Sequence, residues 1–127
     1  EFSRLTGVDT KTIATEREQL AAAFARDHNV VLLLKGPQSV VTDGRRIANN
    51  ATGNCSLATG GSGDVLTGLI ASLLAQGMQP FDAAQLGAHL HGLAGEIASL
   101  RHTDRFTTSL DLVECLGLAW KRLLGES

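Results

Sequence analysis

The sequence predicts an α/β protein, and three observations carry that reading. Val30-Val-Leu-Leu-Leu34 is a continuous run of β-branched and leucine side chains, the pattern of a strand buried on both faces. A hairpin pattern follows it directly. A glycine-dense loop, Thr59-Gly-Gly-Ser-Gly-Asp64, then gives way to helical periodicity that continues to the C-terminal end.

Taken in order, residues 9–28 read as one helix. Asp9 or Thr10 can cap it, and Ile13, Leu20 and Phe24 fall near one face. Lys35-Gly-Pro37 ends the strand that follows. Ser39-Val-Val-Thr42 and Arg45-Arg-Ile-Ala48 flank Asp43-Gly44, the signal of a two-residue type I′ hairpin. Residues 49–63 are loop-like. From Asp64, Val65, Leu66, Leu69, Ile70, Leu73 and Leu74 recur at helical spacing, and Gly77 and Pro80 stop the helix. A second helix over 82–100 carries Leu86, Leu90, Leu93, Ile97 and Leu100, with small residues between that allow close approach. A third begins near Thr108, where Thr108-x-x-Asp111 resembles a capping box, and stops at Gly125.

Bulk properties narrow the possible functions. The 127 residues are 43% hydrophobic and 19% charged, with a formal net charge of −2. No basic excess points to nucleic acid, and no apolar run is long enough to span a bilayer. Cys55 and Cys115 have neither disulfide-framework nor metal-ligand spacing, which suits a reducing, cytoplasmic setting and structural thiols. One fully buried strand needs parallel neighbours that the remaining pattern does not supply. Together with an opening residue that is not methionine, this leads us to expect part of a longer polypeptide.

The glycine loop is the chemical signal. Amides at a helix start lack intrahelical partners and carry partial positive charge, and glycine lets such a backbone approach a ligand closely. Thr59–Asp64 therefore reads as a site for phosphate or a developing oxyanion. It is not a P-loop, since no lysine follows the glycines. Leu66 stands where the dinucleotide fingerprint needs its last glycine, and Asp64 occupies the last glycine position of a serine nucleophile elbow. Two readings of Asp64 stand side by side. It can take a proton from a substrate hydroxyl attacking phosphorus while the amides hold the phosphoryl charge. It can also simply favour the helix N-terminus, by about 0.3–1 kcal/mol.

Asn54–Gly77, NCSLATGGSGDVLTGLIASLLAQG, resembles the glycine-loop signature of the ADP/ATP-dependent NAD(P)H-hydrate dehydratases of the ribokinase-like superfamily. EFSRLTG (1–7), VVLLLKGPQSVVTDG (30–44) and NATGN (50–54) are similar to further family segments in the same order. Cys55-Ser56 stand where the family usually has a proline or a glycine-rich pair. The resemblance implies a ribokinase-like three-layer fold, of which residues 1–127 are the C-terminal portion. It also implies dehydration of the S epimer of NADHX or NADPHX, with ADP or ATP as co-substrate and Mg²⁺ on its phosphates. Lys35, Gly36, Pro37, Gln38, Ser39 and Gly63 would contact the nucleotide. Asp64 would contact the hydrated nicotinamide and act as base, and Gly61, Ser62 and Gly63 would form the anion hole. A homo-oligomer, by resemblance a tetramer, is expected. A ribokinase-like small-molecule kinase and a non-catalytic nucleotide-binding fragment are the alternatives.

Other residues carry plainer expectations. His89 and His91, two apart on a helix, point to nearly opposite sides and cannot share an ion, so they read as packing or surface residues. Arg101–Arg105 reads as a solvated loop, from which Arg105 can reach a partner subunit. Trp120 and its neighbouring leucines read as core or a helix–helix interface. Glu96 is either a packed polar residue or an oligomer contact. Lys35 either meets a phosphate or reaches solvent from the strand end.

Overall fold

The structure, a computed structural model, describes residues 1–126. The chain divides into two compact units, Glu1–Asn49 and Asn50–Ser127.

The first unit contains α1 (Phe2–Thr6), α2 (Thr10–Thr15), α3 (Arg17–His28), β1 (Leu32–Leu34), β2 (Val40–Thr42) and β3 (Ile47–Asn49). The sequence gives no helical signal over α1, which Gly7 closes at φ 73°. Its Phe2 is buried and meets Phe24 of α3 edge-on, with ring centroids 5.4 Å apart. Asp9 caps α2 as expected, accepting the amides of Lys11 and Thr12 at 3.0 Å each. The single helix expected over 9–28 is, however, broken at Glu16 (φ −121°, ψ 31°). Thr10, Thr12 and Thr15 precede the break. Threonine is a weak helix former, and the Thr15 hydroxyl bonds back to the Thr12 carbonyl at 3.0 Å, a pattern that bends helices.

The strands form one antiparallel sheet in the order β1-β2-β3, with Leu33 opposite Val41 and Val41 opposite Ala48. The strand expected to be buried on both faces is instead half-buried, with Val30 outside it and exposed. Among the described residues β1 pairs with β2 alone, and the expected parallel neighbours are not among them. Val40, Val41 and Thr42 of β2 are all buried. The hairpin loop spans residues 43–46 rather than the expected two, because the Asp43 carboxylate folds the chain onto itself. It accepts the amides of Arg45 (2.9 Å) and Arg46 (2.7 Å) and the Arg46 Nε–H (2.8 Å).

The second unit contains a 3-10 turn at Cys55–Leu57 followed by α4 (Ser62–Ala75), α5 (Pro80–His102) and α6 (Ser109–Leu124). Helix α4 begins two residues before the predicted Asp64. It closes with Gly77 at φ 90° and the Met78 amide on the Leu73 carbonyl at 3.2 Å. Pro80, which stops α4, also opens α5 at its first turn, where its missing N–H costs nothing. The Thr108/Asp111 capping box forms as predicted, with the Thr108 amide 2.7 Å from Asp111 Oδ2. The core is made by Leu90, Leu93, Ala94 and Ala98 of α5 against Leu112, Cys115 and Ala119 of α6.

The inner side of α5 is unusually small: Ala83, Ala84, Gly87, Ala88, Gly92, Ala94, Gly95 and Ala98 are all buried. A Cβ on Gly87 would lie 2.6 Å from Ile70 Cγ1, so the glycine is what lets α4 approach this closely. Trp120 is not core in this chain. It remains 41% exposed and shares an outward face of α6 with Leu110, Val113 and Leu124. No described helix is long and apolar enough to cross a membrane.

Candidate functional site: the glycine loop and the start of helix α4

The loop leading into α4 is held from several sides. The Thr52 hydroxyl donates to the His89 carbonyl at 2.9 Å, and the Gly53 amide donates to Glu96 Oε1 at 2.9 Å. Glu96 also pairs with Arg122 at 3.7 Å, which makes it a packed polar residue of this chain. Asn54 caps the 3-10 turn, and the Ser56 hydroxyl donates to the Gly95 carbonyl at 3.1 Å. Each tie ends on α5 or caps the turn above it.

The loop then turns sharply. Gly61 takes φ 83°, a left-handed conformation costly for any residue with a Cβ, and serves as the N-cap of α4. The Asp64 and Val65 amides both bond to the Gly61 carbonyl at 3.1 Å, and the Ser62 amide reaches the Thr59 carbonyl at 3.3 Å. Among the described residues no hydrogen bond is recorded for the amides of Gly60, Gly61 and Gly63. Three open donors at a helix N-terminus form a concentration of positive partial charge suited to an anion.

The two side chains in the first turn of α4 diverge. Asp64 is exposed, and its carboxylate makes no hydrogen bond or ion pair among the described residues. Ser62 is 1% exposed and turns inward, where His91 Nε2 lies 2.9 Å from its carbonyl and 3.2 Å from its hydroxyl. Gly61 and Asp64 are exposed and Gly63 is half-buried. Ser62 lies between them with its side chain buried and its amide engaged.

The predicted nucleotide-contacting residues form a turn in the first unit. Lys35, Gly36, Pro37 and Gln38 are exposed. Ser39 Oγ closes the turn, accepting the Gly36 amide at 3.4 Å and donating to the Gly36 carbonyl at 3.2 Å. Gln38 adopts φ 53°. Arg17 braces this turn, its Nη2 donating to the carbonyls of Leu34 (3.0 Å) and Lys35 (3.2 Å). A Cβ on Gly36 would stand 2.2 Å from Arg17 Nη1.

Sequence reasoning missed Arg17 and His91. Arg17 carried no local signal, since its partners are backbone atoms distant in sequence. For His91 the signal was present: a polar ring within Leu90-His-Gly-Leu-Ala-Gly95 must find a partner if that helix face is buried. Cys115 is buried, and burial raises its thiol pKa; Cys55 is exposed and also raised, chiefly by its 3.0 Å contact with Asp104. Among the described residues no group of three or more His, Cys, Asp or Glu could hold a metal ion.

The Carb_kinase family model, described as NAD(P)H-hydrate dehydratase, matches residues 1–116. The chain belongs to the NAD(P)H-hydrate dehydratase family. Among its relatives, the bifunctional NAD(P)H-hydrate repair enzyme Nnr of Moorella thermoacetica is 44% identical over 99% of this chain and 24% of its own length. The ADP-dependent (S)-NAD(P)H-hydrate dehydratase of Bacillus subtilis is 36% identical over 96% of the chain and 45% of its own. A crystal structure of the ADP/ATP-dependent NAD(P)H-hydrate dehydratase from Bacillus subtilis, co-crystallised with ATP/Mg²⁺ and soaked with CoA, superposes with a TM-score of 0.90 at 34% identity. It is matched over 95% of this chain and 45% of that one. The fold is therefore the ribokinase-like fold of this dehydratase family, and the chain spans less than half the length of these relatives.

Proposed function

We propose that residues 1–127 serve as the C-terminal portion of one ribokinase-like domain that dehydrates S-NAD(P)H hydrate at the expense of ADP or ATP. The observation that carries the reading is the pairing of open amides at Gly61 and Gly63 with the exposed, unpartnered carboxylate of Asp64. Hydroxide leaves poorly from the hydrated ring. Asp64 takes the proton of that hydroxyl as its oxygen attacks the terminal phosphorus of the nucleotide, whose bond to the bridging oxygen breaks to release AMP from ADP or ADP from ATP. The Gly61 and Gly63 amides hold the charge that develops on the phosphoryl oxygens. The phosphorylated hydrate then loses phosphate together with a proton from the adjacent ring carbon, and the ring recovers the double bond of NADH or NADPH.

Lys35–Ser39 contact the nucleotide in this reading. The exposed ammonium of Lys35 and the turn held by Ser39 and Arg17 support that role. Mg²⁺, carried on the nucleotide phosphates, would neutralise their charge when bound. The protein works in the cytoplasm as a homo-oligomer, a tetramer by family resemblance. The exposed Leu110, Val113, Trp120 and Leu124 of α6 support association, and sedimentation velocity reads the assembly state.

The decisive assay incubates the full-length protein with NADHX and ADP or ATP. Recovery of reduced-nicotinamide absorbance with release of inorganic phosphate supports the dehydratase. Phosphate retained on an organic product would support a small-molecule kinase instead.

A further inference from the structure

We propose that His91 is the positioning residue of the glycine loop, holding Ser62 from inside the protein and so fixing the open amides of Gly61 and Gly63 on either side of it. The inference rests on the functional reading above for its kinetic consequence, but not for its structural one.

Ser62 and His91 are 1% and 3% exposed, so water does not compete for their contact. A carbonyl oxygen can only accept a hydrogen bond. The 2.9 Å approach of His91 Nε2 to the Ser62 carbonyl therefore assigns the proton to Nε2. The same N–H lies 3.2 Å from Ser62 Oγ, so one donor grips both the main chain and the side chain of a single residue. Among the described residues no other side chain bonds to Ser62.

The placement matters because of what flanks it. Glycine-rich backbone loses more conformational freedom on ordering than any other, and an anion site works best when its donors are already in place. Ser62 is the only residue with a side chain between Gly60 and Gly63, hence the only handle by which the interior can grip this stretch. Gly61 has no side chain to anchor; its carbonyl accepts the Asp64 and Val65 amides, and Ser109 Oγ would lie 3.0 Å from an added Cβ. Helix α5, immobilised by its own close packing, supplies the grip from His91.

The test uses the full-length protein with His91→Leu, which removes the donor, and His91→Gln, whose amide N–H reaches about as far as Nε2. His91→Leu is expected to lower kcat about 10- to 100-fold with the nucleotide KM within about threefold, since misplaced donors weaken transition-state stabilisation most. His91→Gln is expected to recover to within about threefold of wild type. In parallel, hydrogen exchange of the Asp64 and Val65 amides should quicken about tenfold in His91→Leu and stay near wild type in His91→Gln. Equal loss in both variants, or unchanged kcat and exchange in His91→Leu, overturns the proposal. Nitrogen NMR of wild-type His91 needs no variant: a ring found without its proton on Nε2 between about pH 6 and 8 also overturns it. A wild-type protein inactive on NADHX would sink the dehydratase reading, while the exchange and tautomer results would still decide the role of His91.

Discussion

The Thr52 side chain lies across the bare Cα of Gly92, and a Cβ there would meet Thr52 Oγ1 at 2.1 Å and the Thr52 carbonyl carbon at 2.6 Å. The hydroxyl could rotate away, but the main chain could not. Gly92→Ala should therefore destabilise the folded protein by about 1–3 kcal/mol, the range of forced overpacking, read as a lowered denaturation midpoint. A midpoint unchanged from wild type would mean that the loop carrying Thr52 shifts freely.

Asp64→Asn keeps the size and exposure of the side chain and removes its basicity. Turnover of the full-length enzyme should fall about 10²–10⁴-fold while nucleotide affinity, measured by calorimetry, stays within a few-fold. Retained turnover would assign Asp64 to the helix dipole alone.

Gly61→Ala tests the turn itself. The left-handed φ of 83° costs an L-residue about 1–2 kcal/mol, and the new methyl would crowd Ser109. Loss of activity should exceed loss of stability, because the substitution tilts the Gly61 amide out of line. Parallel kinetics and thermal melts separate the two effects.

Acid should loosen the hairpin loop in a defined window. The amides of Arg46 and Arg45, followed by the Arg46 side chain, hold the Asp43 carboxyl down to about 2 from its ordinary 3.8. A depressed carboxyl stabilises the folded form above its unfolded value. That contribution is lost as pH falls from 3.8 through about 2. Carboxyl-carbon NMR should show Asp43 titrating near the lower figure, and Asp43→Asn should abolish the linked shift of the Arg45 and Arg46 amides.

Thr108→Ala should cost about 1 kcal/mol through loss of the cap. The same box draws the Asp111 carboxyl below its usual range, first through the Thr108 amide and then its hydroxyl, so the variant should let Asp111 titrate at higher pH.

Much of this was legible in the sequence because it is local. The Asp9 cap, the capping box, the Gly77 and Gly125 stops and the glycine loop each depend on neighbours a few residues away. The errors arose where distant partners or competing local bonds decided the outcome. Leu32–Leu34 looked like a strand covered on both faces because its composition is apolar; among the described residues it pairs with β2 and is half-buried. Asp43-Gly44 looked like a two-residue turn until the carboxylate captured two amides and enlarged it. At the candidate site, the turn at Gly61 and the exposed acid at Asp64 were readable from the loop alone. That His91 would be buried and need a partner was signalled by the small and apolar residues around it; that the partner is Ser62, 29 residues away, was not.

The small inner residues of α5 have a mechanical consequence. Alanine and glycine have no rotamers to freeze or to sample. Two anchor points of the preceding segment, the carbonyls of His89 and Gly95, are main-chain atoms of a helix with many small buried residues. Such a bed transmits little side-chain noise upward, and warming should blur the glycine loop less than it blurs the outer face of α6.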